Sequence, residues 1–236
     1  MPRRVGILGG MGPEATVLLM SKVIAAVPAK DDRDHVPLIV DQNSQVPSRI
    51  KHLVESTGED PGPVLAEMAK RLERSGAKAL AMPCNTAHHY AADIAASVRI
   101  PLLNMVTLSA ARAQKLAGGS DCIGVLASPA VRRVGLFDAA LCAAGLTAIY
   151  ASDDDAMLDA IRRIKATGAN AQSRDTLHHA SVSLLAGGAK VQMIACTEFS
   201  LIANDCVEAA TTFDTLDVLV EAVCEFSFSD SSKDDT

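Results

Sequence analysis

The sequence predicts an α/β protein built of two similar lobes, each with a parallel sheet flanked by helices. Short apolar runs alternate with segments of helical periodicity along most of the chain, which is typical of parallel sheets covered on both faces. The pattern restarts at Cys122. In the first half Cys84 follows a strand, 78 residues after Gly6, and in the second half Cys196 follows a strand, 72 residues after Gly124. We therefore expect lobes related by a pseudo-twofold axis, with the active site in the cleft between them.

The first half contains four predicted strands, each a short apolar or β-branched run bounded by glycine, proline or polar residues. They are residues 4–9, 37–41, 77–82 and 101–105. Apolar residues at helical spacing predict helices over residues 13–27, 61–75, 86–98 and 108–117. Pro13 suits the first turn of the first helix, Thr86 is a candidate N-cap, and residues 41–47 read as a polar loop.

The second half repeats this alternation. Its predicted strands are residues 122–127, 146–151, 191–195 and 211–214, and its predicted helices are 131–144, 154–166, 172–186 and 216–226. We expect Asp153–Asp155 to cap a helix, because consecutive carboxylates lack the spacing of a calcium or magnesium loop. The expected lobes are residues 1–105 with 208–228, carrying Cys84, and residues 106–207, carrying Cys196. A disordered tail is expected over residues 229–236.

The composition describes a globular protein with a mild negative charge. Of 236 residues, 49% are hydrophobic, and the formal net charge is −6. This balance repels nucleic acid and anionic membranes, so we expect neither as a partner. No stretch of 18 uninterrupted apolar residues occurs, and the N-terminus leads into a strand rather than a signal-peptide core. We therefore expect a cytoplasmic protein.

The six cysteines lack CxxC pairs and the histidine spacing of metal sites, so we expect free thiols and no bound metal. Ordinary packing is expected for four of them: Cys122, Cys142, Cys206 and Cys224. Cys84 and Cys196 instead follow strand ends, where ligands bind in parallel sheets and the positive end of a helix dipole lowers a thiol pKa. Inverting a carbon centre without a cofactor requires an acid/base group on each face, and one cysteine per lobe would supply both.

Three stretches of sequence carry a resemblance to a known family. They are Gly6–Thr16 (Gly-Ile-Leu-Gly-Gly-Met-Gly-Pro-Glu-Ala-Thr), Met82–His88 (Met-Pro-Cys-Asn-Thr-Ala-His) and Cys196–Glu198 (Cys-Thr-Glu). Through them the chain resembles the aspartate/glutamate racemase family, and within it the aspartate racemases. The resemblance implies an isomerase that interconverts L- and D-aspartate with no cofactor. It implies that Cys84 and Cys196 are the catalytic thiols, one for each enantiomer. From their order in the chain, we expect Cys84 to act on the D-form and Cys196 on the L-form.

The resemblance also implies a binding site for a small acidic amino acid. The residues expected around the α-carboxylate and amino group are Asn85, Thr86, Ser128 and Thr197, with Ser128 standing where relatives often carry threonine. An acidic protein that binds a dicarboxylate needs local positive charge. Arg49 matches a Pro-x-Arg pattern of aspartate racemases, and Lys165 stands where relatives carry a substrate-facing lysine.

Met11 and Glu198 complete the expected substrate site, although Met11 also fits ordinary packing and Glu198 also fits an acidic first turn of a helix. His88, four residues after Cys84, could share its helix face and tune the thiol. Relatives suggest a homodimer.

Other interpretations stay open on the sequence alone. Gly10–Ala15 fits the dinucleotide fingerprint G-x-G-x-x-A, with Asp41 ending the next strand. Pro13 removes an N–H beside that turn, however, and a dinucleotide site does not explain the second cysteine. A glutamate or broad-specificity racemase, another isomerase or a decarboxylase of the same superfamily, and an inactive amino-acid-binding protein are further alternatives.

Overall fold

Two parallel β-sheets organise the chain in the computed structural model, which describes residues 2–229. The first sheet has the strand order β2-β1-β3 and the second has the order β5-β4-β6-β7. The strands of the first sheet are β1 (Val5–Gly9), β2 (Leu38–Gln42) and β3 (Ala79–Ala81). Those of the second sheet are β4 (Cys122–Ala127), β5 (Thr147–Tyr150), β6 (Val191–Ala195) and β7 (Thr211–Asp214). All of these pairings are parallel.

Helices connect the strands and cover both sheets. They are α1 (Pro13–Ala26), α2 (Arg49–Leu53), α3 (Gly62–Arg74), α4 (Ala91–Ser97), α5 (Met105–Leu116), α6 (Pro129–Arg133), α7 (Asp138–Ala143), α8 (Asp154–Thr167), α9 (Ala171–Ala186) and α10 (Thr215–Phe228). Short 3₁₀ helices occupy Asp32–Asp34, Thr86–Tyr90 and Phe199–Asp205. Among the described helices, none is both long and apolar enough to cross a membrane.

The core of each lobe lies on both faces of its sheet. Alternate side chains of a strand point to opposite faces, so Leu8 packs with Leu65 and Leu72 of α3 while Ile7 packs on the other face. The partners of Ile7 include Leu19 of α1 and Leu219 of α10. Burial on both faces explains why these strands read as continuous apolar runs. The predicted α/β fold with two parallel sheets is confirmed.

Several predicted elements need correction where a local signal was misread. Residues 101–105 are not a strand: Leu102 makes a single bridge to Leu80, and α5 begins at Met105. The reason is a helix cap, since the Asn104 side chain accepts hydrogen bonds from the first backbone N–H groups of α5. Gly135, with φ of +60°, similarly separates α6 from α7 in the segment predicted as one helix.

The segment after Cys84 also differs from the predicted helix over residues 86–98. A 3₁₀ turn comes first and α4 follows it, and Asn85 rather than Thr86 holds the N-cap position, without a side-chain cap. Helix α2 lies just beyond the predicted polar loop and was missed, because five residues are too few to show helical periodicity. Asp153 caps α8 as predicted, by accepting from the Ala156 N–H at 2.9 Å.

The end of the chain passes from the second lobe back to the first. Strand β7 pairs with β6 in the second sheet, which corrects its expected place in the first lobe. Helix α10 does pack on the first lobe, because Leu216 and Leu219 join the cluster around Val5. Of the expected disordered tail, Ser229 follows α10 as its C-cap, and residues 230–236 lie outside the described part of the chain.

Candidate active site

A cavity of about 390 Å³ is lined by residues of both lobes. The first lobe contributes the loop after β1, including Gly10 and Gly12, and Arg49 at the start of α2. The second lobe contributes Lys165 from α8 and the residues just after Cys196. The volume suits a small molecule, and the wall combines two cationic residues, Arg49 and Lys165, with two acidic residues, Glu14 and Glu198, and with residues that carry hydroxyl groups.

The glycine turn after β1 closes tightly against the neighbouring loop. Gly10 has φ of +93°, and a Cβ at this position would lie 2.4 Å from the backbone carbonyl of Asn43. The Gly10 N–H donates to the Thr16 hydroxyl at 2.9 Å, which fixes the turn to the first turns of α1. Glycine is therefore required here for close approach of two backbone segments.

The close approach of two backbone segments explains the glycine at position 10 without a dinucleotide site. Asp41, which would have to meet a ribose, forms an ion pair with Arg71 at 2.7 Å. Within residues 2–229, no cluster of three or more histidine, cysteine, aspartate or glutamate side chains is arranged to hold a metal ion.

Cys196 lies beyond the end of β6 and is buried against a carboxylate. Its thiol donates to Glu198 Oε2 at 3.1 Å, and Glu198 Oε1 lies 3.2 Å from Lys165 Nζ. Burial raises the pKa of Cys196 well above its ordinary value, and the negative charge and hydrogen bond of Glu198 raise it further. The expectation of a lowered thiol pKa is therefore wrong for Cys196, because burial and a neighbouring carboxylate outweigh any helix dipole.

Lys165 connects the two cysteine environments electrostatically. Burial works against its charged form, but Glu198, Cys196 and Cys84 together raise the pKa of the Lys165 ammonium above its ordinary value. The side chain stays 44% accessible, against 11% for Glu198. Lys165 is therefore charged, partly open to an incoming ligand and within electrostatic range of both thiols.

Cys84 is buried in the core cluster of the first lobe with Met11, Val46 and Met82. Met11 is 3% exposed and packs in this cluster, and it is not among the residues that line the cavity. The sequence left both packing and pocket lining open for Met11, and its position fits packing beside Cys84.

Both ring nitrogens of His88 form hydrogen bonds with backbone groups rather than with the Cys84 thiol. The Met105 N–H donates to His88 Nε2 at 3.1 Å, so Nδ1 carries the proton and donates to the Cys84 carbonyl at 2.9 Å. Burial lowers the pKa of His88 to about 4, so the ring is neutral at physiological pH. This neutral ring ties the loop of Cys84 to the start of α5.

The remaining predicted site residues fall into two groups. Arg49, Lys165, Thr197 and Glu198 line the cavity together. Arg49 is held by its own loop, since its Nη1 donates to the carbonyls of Val46 and Pro47. The second group lies outside the cavity wall: Cys84, Asn85, Thr86, Ser128 and Cys196.

Two contacts of the second group involve distant parts of the chain. The hydroxyls of Thr86 and Ser128 lie 3.2 Å apart, which joins the two cysteine-bearing lobes. Asn85 Nδ2 donates to the hydroxyl of Thr215 at 3.0 Å. Sequence analysis missed Thr215, and no local pattern marks it beyond its place at the start of a helix.

Replacing Glu198 with glutamine is expected to lower the pKa of the Cys196 thiol. Glutamine keeps the size and an acceptor oxygen but removes the negative charge that raises this pKa, so more thiolate forms at a given pH. We expect the pH midpoint of iodoacetamide alkylation at Cys196, measured by mass spectrometry of its peptide, to fall in the variant. Cys142, an exposed thiol, is the internal control. A midpoint that stays put or rises in the variant would contradict the charge coupling.

Comparison with known proteins places the chain among racemases. A family model described as Asp/Glu/Hydantoin racemase matches residues 8–223. The structure superposes on Picrophilus torridus aspartate racemase with a TM-score of 0.83 and 26% identity, covering 95% of this chain and 94% of the other. It superposes on a glutamate racemase isoform, RacE1 of Bacillus anthracis, with a TM-score of 0.68 and 18% identity, covering 94% and 80%. The latter likeness concerns the fold alone.

Another relative is described as a racemase of broad specificity. The broad specificity amino-acid racemase RacX of Bacillus subtilis (strain 168) is 30% identical over 106 residues, which is 43% of this chain and 45% of that protein. The match thus spans less than half of this relative's length.

Proposed function

This chain belongs to the Asp/Glu/hydantoin racemase family, and from that premise we propose that it interconverts L- and D-aspartate without a cofactor. Cys84 and Cys196 are the two acid/base groups. The observation that carries the proposal is the cavity lined by both lobes, in which Arg49 lies with Lys165, whose pKa is raised by the charges of Glu198, Cys196 and Cys84. A thiol on each side of a bound amino acid is the arrangement that inversion at the α-carbon requires.

Inversion requires that one cysteine is a thiolate and the other a thiol when the substrate binds. The deprotonating thiolate takes the α-proton and becomes a thiol, while the opposite thiol gives its proton to the carbanion and becomes a thiolate. The contact with Glu198 keeps Cys196 protonated at rest, so Cys196 is ready to donate. We propose that the resting enzyme accepts the D-form, with Cys84 as the base, and that Cys196 serves the L-form in the reverse direction.

Charged and polar groups around the cavity would position the substrate and stabilise the carbanion. Arg49 and Lys165 are proposed to bind the two carboxylates, since a guanidinium can hold a carboxylate through two hydrogen bonds. Thr197 lines the same wall and is proposed to contact the α-carboxylate, as are Thr86 and Ser128 through their paired hydroxyls. These preorganised groups act where negative charge develops in the transition state.

Binding of a carboxylate by Lys165 would also change the surroundings of Glu198. The Lys165 ammonium now lies against Glu198 Oε1, and a substrate carboxylate would share or replace that contact. We therefore propose that Glu198 does not contact the substrate itself and acts on it through its contacts with Lys165 and the Cys196 thiol.

Glutamate or broad-specificity racemisation is the second candidate. Its support is the likeness to RacX and the modest selectivity, about 1–3 kcal/mol, that one methylene provides in a pocket. Chiral chromatography of reactions with L-aspartate, L-glutamate and L-alanine distinguishes the candidates. We expect kcat/KM for aspartate to exceed that for glutamate by about tenfold or more. A higher value for glutamate, or equal values for alanine and the acidic amino acids, would replace aspartate as the assigned substrate.

We also propose that the protein works in the cytoplasm as a homodimer, without nucleic acid or membrane partners. Sedimentation velocity tests the assembly: a species of twice the 24.6 kDa chain mass supports the dimer, and a monomer over the working concentration range rejects it.

A further inference from the structure

One buried hydroxyl joins the two segments that carry the cysteines. Thr215, the first residue of α10, is fully buried and donates to the Ile194 carbonyl at 2.9 Å, two residues before Cys196. The same hydroxyl accepts from Asn85 Nδ2 at 3.0 Å, one residue after Cys84. These contacts connect the two cysteine-bearing segments through a single oxygen atom.

The direction of these hydrogen bonds fixes the orientation of the Asn85 amide. A backbone carbonyl can only accept, so the Thr215 O–H points to Ile194 and its oxygen must receive a donor from Asn85. The NH₂ group of Asn85 therefore faces Thr215. Its carbonyl oxygen, Asn85 Oδ1, is turned away and is buried with no hydrogen-bond partner among the described residues. This leaves an acceptor beside Cys84 for a donor group such as an ammonium.

The residue before Thr215 anchors the same helix end to the other side of Cys196. Asp214 Oδ1 accepts from the Leu216 N–H at 2.8 Å and from the Ser200 hydroxyl at 2.9 Å. Ser200 lies in the 3₁₀ helix that follows Cys196. The first turn of α10 thus contacts the chain before Cys196, the chain after Cys196 and the residue after Cys84.

We infer that Thr215 is a positioning residue for racemisation: its hydroxyl sets the two cysteine-bearing segments relative to each other and orients the Asn85 amide. The inference rests on the proposed function. Thr215 does not contact the reacting atoms and acts only through Asn85 and through Ile194 of β6, the strand that precedes Cys196. A shift of about 1 Å in such an arrangement lowers the rate by about 100-fold.

Two substitutions separate the hydroxyl from the methyl group. T215V keeps the shape but removes both hydrogen bonds, and T215S keeps the hydroxyl but removes the methyl. T212V makes the same chemical change at an exposed position of β7 and is the matched control. We expect kcat for aspartate to fall by about 100-fold in T215V and to stay near the wild-type value in T215S and T212V.

Reactions in D₂O supply a readout that loss of stability alone does not change. If the second thiol is misplaced, the carbanion is more often reprotonated on its original face by the first thiol, after the proton on that thiol has exchanged for deuterium from D₂O. T215V should therefore show more deuterium in recovered substrate per inverted product than wild type does. A folded T215V protein that has the kcat and the exchange ratio of the wild type would overturn the inference. If T215V does not fold, a large loss of kcat in T215S overturns it, because T215S retains the hydroxyl.

A measurement independent of turnover keeps this test separate from the proposed function. The side-chain NH₂ of Asn85 should be protected from hydrogen exchange by NMR in wild type and T215S, and unprotected in T215V. An absence of racemisation by the wild-type protein rejects the proposed function. Equal protection of Asn85 in all three proteins rejects the role of Thr215, whatever the wild-type activity.

Discussion

Replacement of either Cys84 or Cys196 with alanine is expected to lower the rate of aspartate racemisation by about 10³-fold or more. Each substitution removes one of the two groups that transfer protons at the α-carbon, and a positioned acid or base contributes about 10²–10⁴-fold. Chiral chromatography of L- and D-aspartate reactions measures the loss. The thiols are buried after equivalent strand ends, so alanine leaves only a small cavity and the fold should persist.

The single variants should also differ from each other in a specific way. C196A retains Cys84 and is expected to exchange the α-proton of D-aspartate with solvent, without inversion. C84A is expected to exchange that of L-aspartate more slowly, because Glu198 keeps Cys196 protonated at rest. C142A, which alters an exposed thiol on α7, is the control and should remain fully active. Equal losses in all three variants, or inversion by a protein lacking Cys84 or Cys196, would show that the catalytic thiols lie elsewhere.

Replacement of Arg49 with alanine is expected to lower kcat/KM for aspartate by about 100-fold, mainly through a higher KM. Arg49 lies on the cavity wall, and its guanidinium is held in place by the carbonyls of Val46 and Pro47. Removing one partner of a hydrogen-bonded charge pair in a desolvated site costs about 2–5 kcal/mol. R49K should recover only part of the loss, because lysine cannot make the paired hydrogen bonds of a guanidinium.

The matched control for Arg49 is R71A. Arg71 forms a half-exposed ion pair with Asp41, outside the cavity lining, and such surface pairs contribute about 0–1 kcal/mol. Initial rates over a range of aspartate concentrations give KM and kcat for each variant. An unchanged KM in R49A, or an equal effect in R71A, would exclude Arg49 as the residue that binds a substrate carboxylate.

Much of the fold could be predicted because the strands of a parallel sheet are buried on both faces and therefore appear in the sequence as short apolar runs. Strands β4, β6 and β7 have the predicted bounds, since each is a short run made mainly of apolar or β-branched residues. The errors occurred where short-range hydrogen bonds decide the structure. Asn104 caps a helix inside a predicted strand, and Gly135 divides a predicted helix.

Only part of the candidate site could be anticipated from the sequence. Arg49, Lys165, Thr197 and Glu198 do meet at one cavity, whereas the two cysteines lie outside its wall. The raised pKa of Cys196 was not predictable, because it depends on burial and on the rotamer that brings Glu198 against the thiol.

Thr215 lay beyond sequence analysis for a different reason. Its partner Asn85 is 130 residues away in the chain, and periodicity carries no information about a contact at that separation.

The most direct test of the central claim is the reaction of the wild-type protein with L-aspartate in D₂O, with no cofactor added. NMR and chiral analysis together follow deuterium at the α-carbon of both enantiomers. Two-thiol racemisation predicts D-aspartate that carries α-deuterium while the remaining L-aspartate initially keeps its proton, because separate groups remove and return protons on opposite faces. Deuterium entering L-aspartate as fast as the product forms would indicate a single base, and no exchange with any acidic amino acid would contradict the racemase assignment.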